Sequence, residues 1–268
     1  MLATTAEAQQ LSFEGEAVQG GLVIGRVDDP TARITVDGKD VRRSPAGEFL
    51  IGFARDAGPR TVVAAILPAG NKATKTLTVK KRTYKIDRID GLPQAQVSPD
   101  PEAMKRIQAD TAEIAKARAA DTAQAFFAAG FVWPATGRIS GVYGSQRILN
   151  GEPRAPHSGL DIAAPEGAPV LAAAAGRVAL AADDMVLTGK TLLLDHGHGL
   201  TTSYIHLSKI LVRAGESVAQ GAPIGRVGKT GRTTAAHLHW GVHLFDIALD
   251  PALLVSGTAE AAQSESKK

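Results

Sequence analysis

Cysteine is absent from this chain of 268 residues. That removes disulfides, thiolate metal sites, thiol nucleophiles and iron–sulfur clusters together. It does not fix the compartment, because an exported protein of this size folds without disulfides. Long apolar runs are absent as well. Nothing approaches the ~18 consecutive apolar residues that cross a bilayer as a helix, so the chain does not read as an integral membrane protein. Neither sign of charge has much surplus: 30 Lys and Arg stand against 27 Asp and Glu, a formal net charge of +3. The basic excess sits in residues 1–98, with 14 cationic against 11 acidic residues and a Lys80-Lys81-Arg82 run. A nucleic-acid footprint would be denser, and no nucleic-acid partner is expected. What is present is apolar material, 44% of residues at a mean hydropathy of −0.02. A chain of this length buries roughly three quarters of its unfolded surface, so its core needs no staples.

The ends read as edges. Residues 1–12 are expected to be disordered. Ala6-Glu7-Ala8 resembles the end of an export signal whose charged and apolar regions are missing. Residues 256–268 (SGTAEAAQSESKK) are expected to form a disordered tail. Between them lie two β-rich blocks joined by a helix. In residues 13–90, Phe49, Ile51 and Phe53 alternate with Leu50 and Gly52. Leu77 and Val79 alternate with Thr76, Thr78 and Lys80, and Tyr84 and Ile86 with Lys85 and Asp87. This period of two marks half-buried strands. Asp37-Gly38 between Ile34-Thr35-Val36 and Val41 signals a hairpin. The block has no histidine and reads as a small antiparallel β-sandwich that binds or spaces. In residues 98–130, Ser98 or Asp100 can cap a helix whose first turn takes Pro101 and whose end takes Gly130. Its stripe of Met104, Ile107, Thr111 and Ile114 fits either a rigid arm between domains or a helix packed on one of them.

All seven histidines fall in the block 131–255, between His157 and His243. Short strand patterns fill it: Val170–Ala174, Gly176–Leu180, Thr191–Asp195 and Thr201–Leu207. Three of its segments carry chemistry. In His157-Ser158-Gly159-Leu160-Asp161, an imidazole and a carboxylate, both good zinc ligands, lie four residues apart. Gly159 lets the backbone curl so that both meet one ion. In His237-Leu238-His239-Trp240, residues two apart on a strand share a face. Both imidazoles then reach one site, while Leu238 and Trp240 face the core. In Tyr204-Ile205-His206-Leu207, strand parity turns Ser203, Ile205 and Leu207 one way and Thr202, Tyr204 and His206 the other.

These segments, PHSGLDIAAPEGAPV, then YIHL, then GRTTAAHLHWGV, resemble the lysostaphin/LytM-type zinc metallopeptidase family, whose members cut peptide bonds in bacterial peptidoglycan. The resemblance covers residues 131–255. It implies an antiparallel β metallopeptidase domain in a mostly β chain, with zinc bound by His157, Asp161 and His239 and with His206 and His237 as catalytic histidines. Two His and one Asp leave the fourth tetrahedral position to water, the mark of a catalytic zinc. Such a zinc lowers the water pKa to about 7 and polarises the scissile carbonyl. No HExxH glutamate is present to act as base, so His206 and His237 must move the proton and stabilise developing charge. Which of the two is the base stays open.

The implied function is a zinc metalloendopeptidase that hydrolyses peptidoglycan stem or cross-link peptides in the periplasm or cell envelope, with other cell-wall enzymes as candidate partners. The alternative is a noncatalytic activator of peptidoglycan amidases, although such relatives have lost zinc ligands. A carrier-domain likeness around Gly176 to Gly228 lacks the tip lysine with its acidic or methionine neighbours. A serine hydrolase lacks its Gly-x-Ser-x-Gly elbow. Arg154 could meet a substrate carboxylate bidentately, or pair with Glu152 or Asp161. Tyr143 could line the groove or pack in the core. His243 reads as structural or rim, since four strand residues beyond His239 is about 13 Å. His196 and His198 read as parts of a turn.

Overall fold

The structure is a computed structural model and describes residues 11–260 apart from Pro30, Ala69 and residues 91–100. Residues 1–10 and 261–268 of the expected disordered ends, and the capping candidates Ser98 and Asp100, lie outside the described residues. The chain divides into two compact units, Met1–Arg82 and Thr83–Lys268.

The first unit holds two antiparallel sheets. One has the order β1 (Leu11–Glu14), β2 (Leu22–Val27), β5 (Glu48–Gly52). The other has the order β4 (Lys39–Val41), β3 (Arg33–Val36), β6 (Arg60–Ile66), β7 (Lys72–Thr78). Val23, Val27, Phe49 and Ile51 from the first sheet share a core with Ile34, Val63 and Ala65 from the second. This is the expected small sandwich. Asp37 and Gly38 turn the β3–β4 hairpin with φ of 48° and 80°, and Asp37 also accepts the Val62 amide at 2.7 Å. Leu11 and Ser12, assigned by composition to a disordered end, pair with Val27 and Arg26.

The second unit begins earlier than its composition suggests. β8 (Ile86–Ile89), whose alternation placed it in the first block, pairs in parallel with β10 (Gln146–Leu149), and β10 pairs with β11 (Glu152–Pro153). A strand's alternation shows that it has a partner but not which one. The helix α1 spans Pro101–Arg118, shorter than the expected 98–130. After it the chain is drawn into extended bonds with a distant turn: Thr122 Oγ1 donates to Asp195 at 2.7 Å, and the Phe126 amide donates to the His196 carbonyl at 3.1 Å. A short 3-10 turn, Phe126–Ala129, follows and ends at Gly130. The tail expectation also yields at its start. Ala259 is buried and its carbonyl accepts the Gly137 amide at 3.3 Å, while Trp133 donates to the Ser256 carbonyl at 3.1 Å.

The main sheet of this unit is antiparallel throughout. Its order is β18 (Ser217–Val218), β14 (Gly176–Met185), β15 (Gly189–Asp195), β16 (Leu200–Leu207), β20 (Leu238–Leu244), β12 (Gly159–Ala163), β9 (Arg138–Gly141), with β21 (Ile247–Leu249) beside β20. A smaller sheet joins β13 (Pro169–Leu171), β19 (Pro223–Arg226) and β17 (Lys209–Ile210). Directly opposed residues share a face, so the register sorts the main sheet. Leu160, Leu192, Tyr204 and Trp240 lie on one face and are fully or almost fully buried. Asp161, His239, Gly241, Ser203 and Leu193 lie on the other. On this second face Leu193 packs with Leu180 and Met185 under Ile114 and Ala117 of α1. Asp110 of α1 accepts the Val186 amide at 2.7 Å. The helix therefore packs on this unit and roofs the β14–β15 side of the face that carries the histidines.

Candidate functional site

β12 and β20 are direct neighbours, with Asp161 opposite His239, so two of the three expected ligands meet by register alone. His157 comes from the turn before β12. Its amide donates to the Ser145 carbonyl at 2.8 Å, which folds the ring back over the strand pair. The three donor atoms converge: His157 Nε2 lies 3.1 Å from Asp161 Oδ1 and 2.9 Å from His239 Nδ1, and His239 Nδ1 lies 2.8 Å from Asp161 Oδ1. Two nitrogen or oxygen ligands of a tetrahedral ion at 2.0–2.1 Å stand about 3.3 Å apart, so shifts of a few tenths of an ångström would let these three donors hold one ion. His157, Asp161 and His239 form the only group of three or more metal-capable His, Asp or Glu side chains of this kind among the described residues.

Gly159 contributes differently from the expectation. It occupies a regular β12 position facing Gly241, and a Cβ there would collide with the Trp240 carbonyl and stand 3.0 Å from His239 Nε2. Its role is close strand approach, not a curl. Gly141 of β9, opposite Asp161, was not singled out by the sequence. A Cβ at Gly141 would occupy the space of the Asp161 carboxylate.

His237 and His206 complete the cluster. His237, just before β20, sets Nε2 3.6 Å from Asp161 Oδ1. Strand parity would send His206 to the core face, since its neighbour Ile205 opposes His239. A left-handed φ of 64° at His206, beside a register shift between β15 and β16, turns the ring back. Its centroid lies 4.9 Å from that of His237 and 6.4 Å from that of His239. Backbone carbonyls fix the tautomers. Nδ1–H donates to Val142 O at 3.0 Å from His157, to Thr230 O at 2.8 Å from His206 and to Ala235 O at 2.9 Å from His237. In neutral His206 and His237 each Nε2 lone pair is then free to face the centre, while Nε2 of His157 lies at hydrogen-bonding distance from Asp161. These carbonyls carry no sequence signal, because any residue can supply one.

The electrostatics follow from burial and from Asp161. Burial opposes charge on Asp161, but hydrogen bonds from His157 and His239 outweigh it and hold the carboxylate far below its usual range. Burial also works against charge on His157, and the hydrogen bond and charge of Asp161 reverse the balance and raise it. Burial lowers His239 and takes His206 down to about 4, with the neighbouring His237 and His239 adding to the effect. A neutral His206 imidazole is an acceptor at Nε2 at physiological pH.

The remaining candidates separate. Arg154 is ion-paired with Glu152 at 3.4 Å. Tyr143 is not brought to the groove: its ring is buried against Tyr84 and its hydroxyl donates to the Ala248 carbonyl at 2.9 Å. His243 is buried on the face of His239, close enough to Arg118 for the guanidinium to disfavour its charged form after burial has done so first. His196 is buried in a chain of hydrogen bonds to the Ala175 carbonyl and to Thr202, which donates to the Tyr204 hydroxyl. His198 turns with φ of 53° against Phe127.

Residues 155–251 match the model of peptidase family M23. The peptidoglycan DD-endopeptidase ShyA of Vibrio cholerae is 40% identical over 104 residues, 38% of this chain and 24% of that protein. An uncharacterised metalloprotease of Haemophilus influenzae is 38% identical over 114 residues, 42% of this chain and 24% of that protein. The matches thus span about a quarter of the length of these relatives. A solved structure of a Pseudomonas aeruginosa protein assigned to peptidase M23 is 30% identical and superposes with a TM-score of 0.66 over 89% of this chain and 94% of that one. That likeness extends beyond the His/Asp/His cluster to nearly the whole length of both chains, and the chain described here belongs to peptidase family M23.

Proposed function

We propose that this chain is a zinc-dependent endopeptidase that hydrolyses peptide bonds in peptidoglycan stem or cross-link peptides, and that it works in the periplasm or cell envelope, where that substrate lies. One observation carries the reading. The three donors of His157, Asp161 and His239 converge within 3.1 Å of one another, beside two further imidazoles, His206 and His237, whose Nε2 atoms are left free by bonds at Nδ1. Three N/O donors without a fourth suit a catalytic zinc. When bound, zinc would supply a water of lowered pKa and polarise the scissile carbonyl.

The chain's own residues do the rest. Nε2 of His206 or of His237 accepts the proton of the attacking water, and the imidazolium so formed delivers it to the leaving amine nitrogen. The partner imidazole, within 4.9 Å centroid to centroid, stabilises the oxyanion that develops on the carbonyl in its imidazolium form, with Nε2–H as the donor. The Thr230 and Ala235 carbonyls accept from Nδ1–H of the two rings, so Nε2 is the atom of each ring that takes or gives the proton. ShyA, named a peptidoglycan DD-endopeptidase, supports the substrate class.

The test is digestion of cross-linked muropeptides by the zinc-loaded protein, with and without a chelator, the new termini being read by mass spectrometry. Dimer-to-monomer conversion that the chelator abolishes is expected. No conversion by folded, zinc-replete protein would instead favour the amidase-activating reading.

A further inference from the structure

The hairpin that leads into the metal cage carries more positive charge than its own residues neutralise. β10 and β11 run from the cage outward. The His157 amide donates to the Ser145 carbonyl, and the Arg154 amide donates to the Arg147 carbonyl, both at 2.8 Å. Arg147 and Arg154 therefore face each other one step further along the same ladder as His157. Like charges directly opposed across a strand pair are unfavourable unless something anionic joins them. The chain offers two acids nearby, and neither is paired with Arg147. Glu152 pairs with Arg154 at 3.4 Å, and Asp87, opposite Arg147 in the parallel pairing with β8, is held by Lys85 at 3.0 Å. Arg147 is exposed and has no ion pair among the described residues.

We propose that Arg147 is a specificity-determining residue that receives a free carboxylate of the substrate peptide on the His157 side of the scissile bond. This rests on the endopeptidase reading and narrows it to acidic peptides. The sequence had pointed to Arg154. The structure ties Arg154 to Glu152 and leaves the planar, two-donor fork of its neighbour to the ligand. Because Arg147 touches neither the metal ligands nor the two further histidines, its contribution belongs to substrate affinity and not to the chemical step. Arg147→Gln removes the charge from an exposed position, and the fold should tolerate it.

Two measurements test this with a matched pair of stem peptides, one with its side-chain carboxylate free and one with it amidated. Calorimetric binding to the zinc-loaded protein needs no turnover. The free acid should bind on the order of tenfold more tightly than the amide, and Arg147→Gln should erase that preference. Arg147→Lys should restore part of it, and Arg154→Gln should change it less. Cleavage of the corresponding cross-linked dimers should show the same loss in KM with kcat nearly unchanged. Equal binding of acid and amide to the wild-type protein, no binding of either, or an unchanged preference in Arg147→Gln would each overturn the proposal. Carboxylate-selective binding without cleavage would instead count against the endopeptidase reading and leave this one standing.

Discussion

The Asp161 carboxylate sits between His157 and His239 and within 3.6 Å of His237, so one side chain stands against three of the four imidazoles. Purified protein should carry about one zinc per chain. His157→Ala, Asp161→Ala and His239→Ala should each lose it, as elemental analysis would report, and full occupancy in any of them would refute the ligand assignment. His206→Ala should keep its zinc and lose about 10²–10⁴-fold in activity, the contribution of a positioned acid–base group. Loss of metal in that variant would make His206 a ligand instead. Gly141→Ala presses a methyl into the space of the Asp161 carboxylate. Changes that disturb a ligand's orientation typically cost about 10–100-fold in metal affinity, and competition with a chromogenic chelator would measure the drop. The motifs whose donors converge were legible because each pairs unusual residue types at short spacing. Gly141 was not, because its partner lies on another strand.

Elements show the same division between what the chain announces locally and what only long-range contacts decide. The β3–β4 hairpin was readable from Asp37-Gly38, since a two-residue turn is a local structure. The end of α1 was not. Alanine-rich sequence permits a helix to Gly130, but bonds from Thr122 and Phe126 to the 195–196 turn stop it at Arg118. The side of the sheet reached by His206 was hidden as well, because a single left-handed residue at φ of 64° reverses strand parity. Helix α1 meets the sheet through a small cluster around Leu193, which is fully buried beside Leu180 and Met185. Leu193→Ala should cost about 2–5 kcal/mol, read as a fall in the denaturant midpoint. A change below about 1 kcal/mol would mean that the helix is not held through this contact.

At the scale of the whole molecule, acid stability follows from a buried histidine outside the His157, Asp161 and His239 cluster. Burial takes His196 down to about 4, the Ala175 carbonyl and Asp195 only partly opposing it. Between about pH 6.5 and 4 the unfolded chain therefore binds a proton at this position that the folded chain refuses, and stability falls as pH drops through that window. The loss is on the order of 3 kcal/mol, measurable by urea unfolding at pH 7 and pH 4.5. His196→Gln should be less stable at pH 7 but show a flatter pH dependence, and an equally steep one would exclude His196 as the cause. The parallel pairing of β8 with β10 has a practical consequence for dissection. A truncated protein that starts at Thr83 retains the strand that flanks β10, whereas one that starts at Ser98 leaves the β10 edge open beside the hairpin that delivers His157. Of two such shortened proteins, only the longer should match the parent in zinc affinity. The shorter one exposes an unpaired strand edge, the kind of surface on which chains stick to one another, and should come off a sizing column as aggregate.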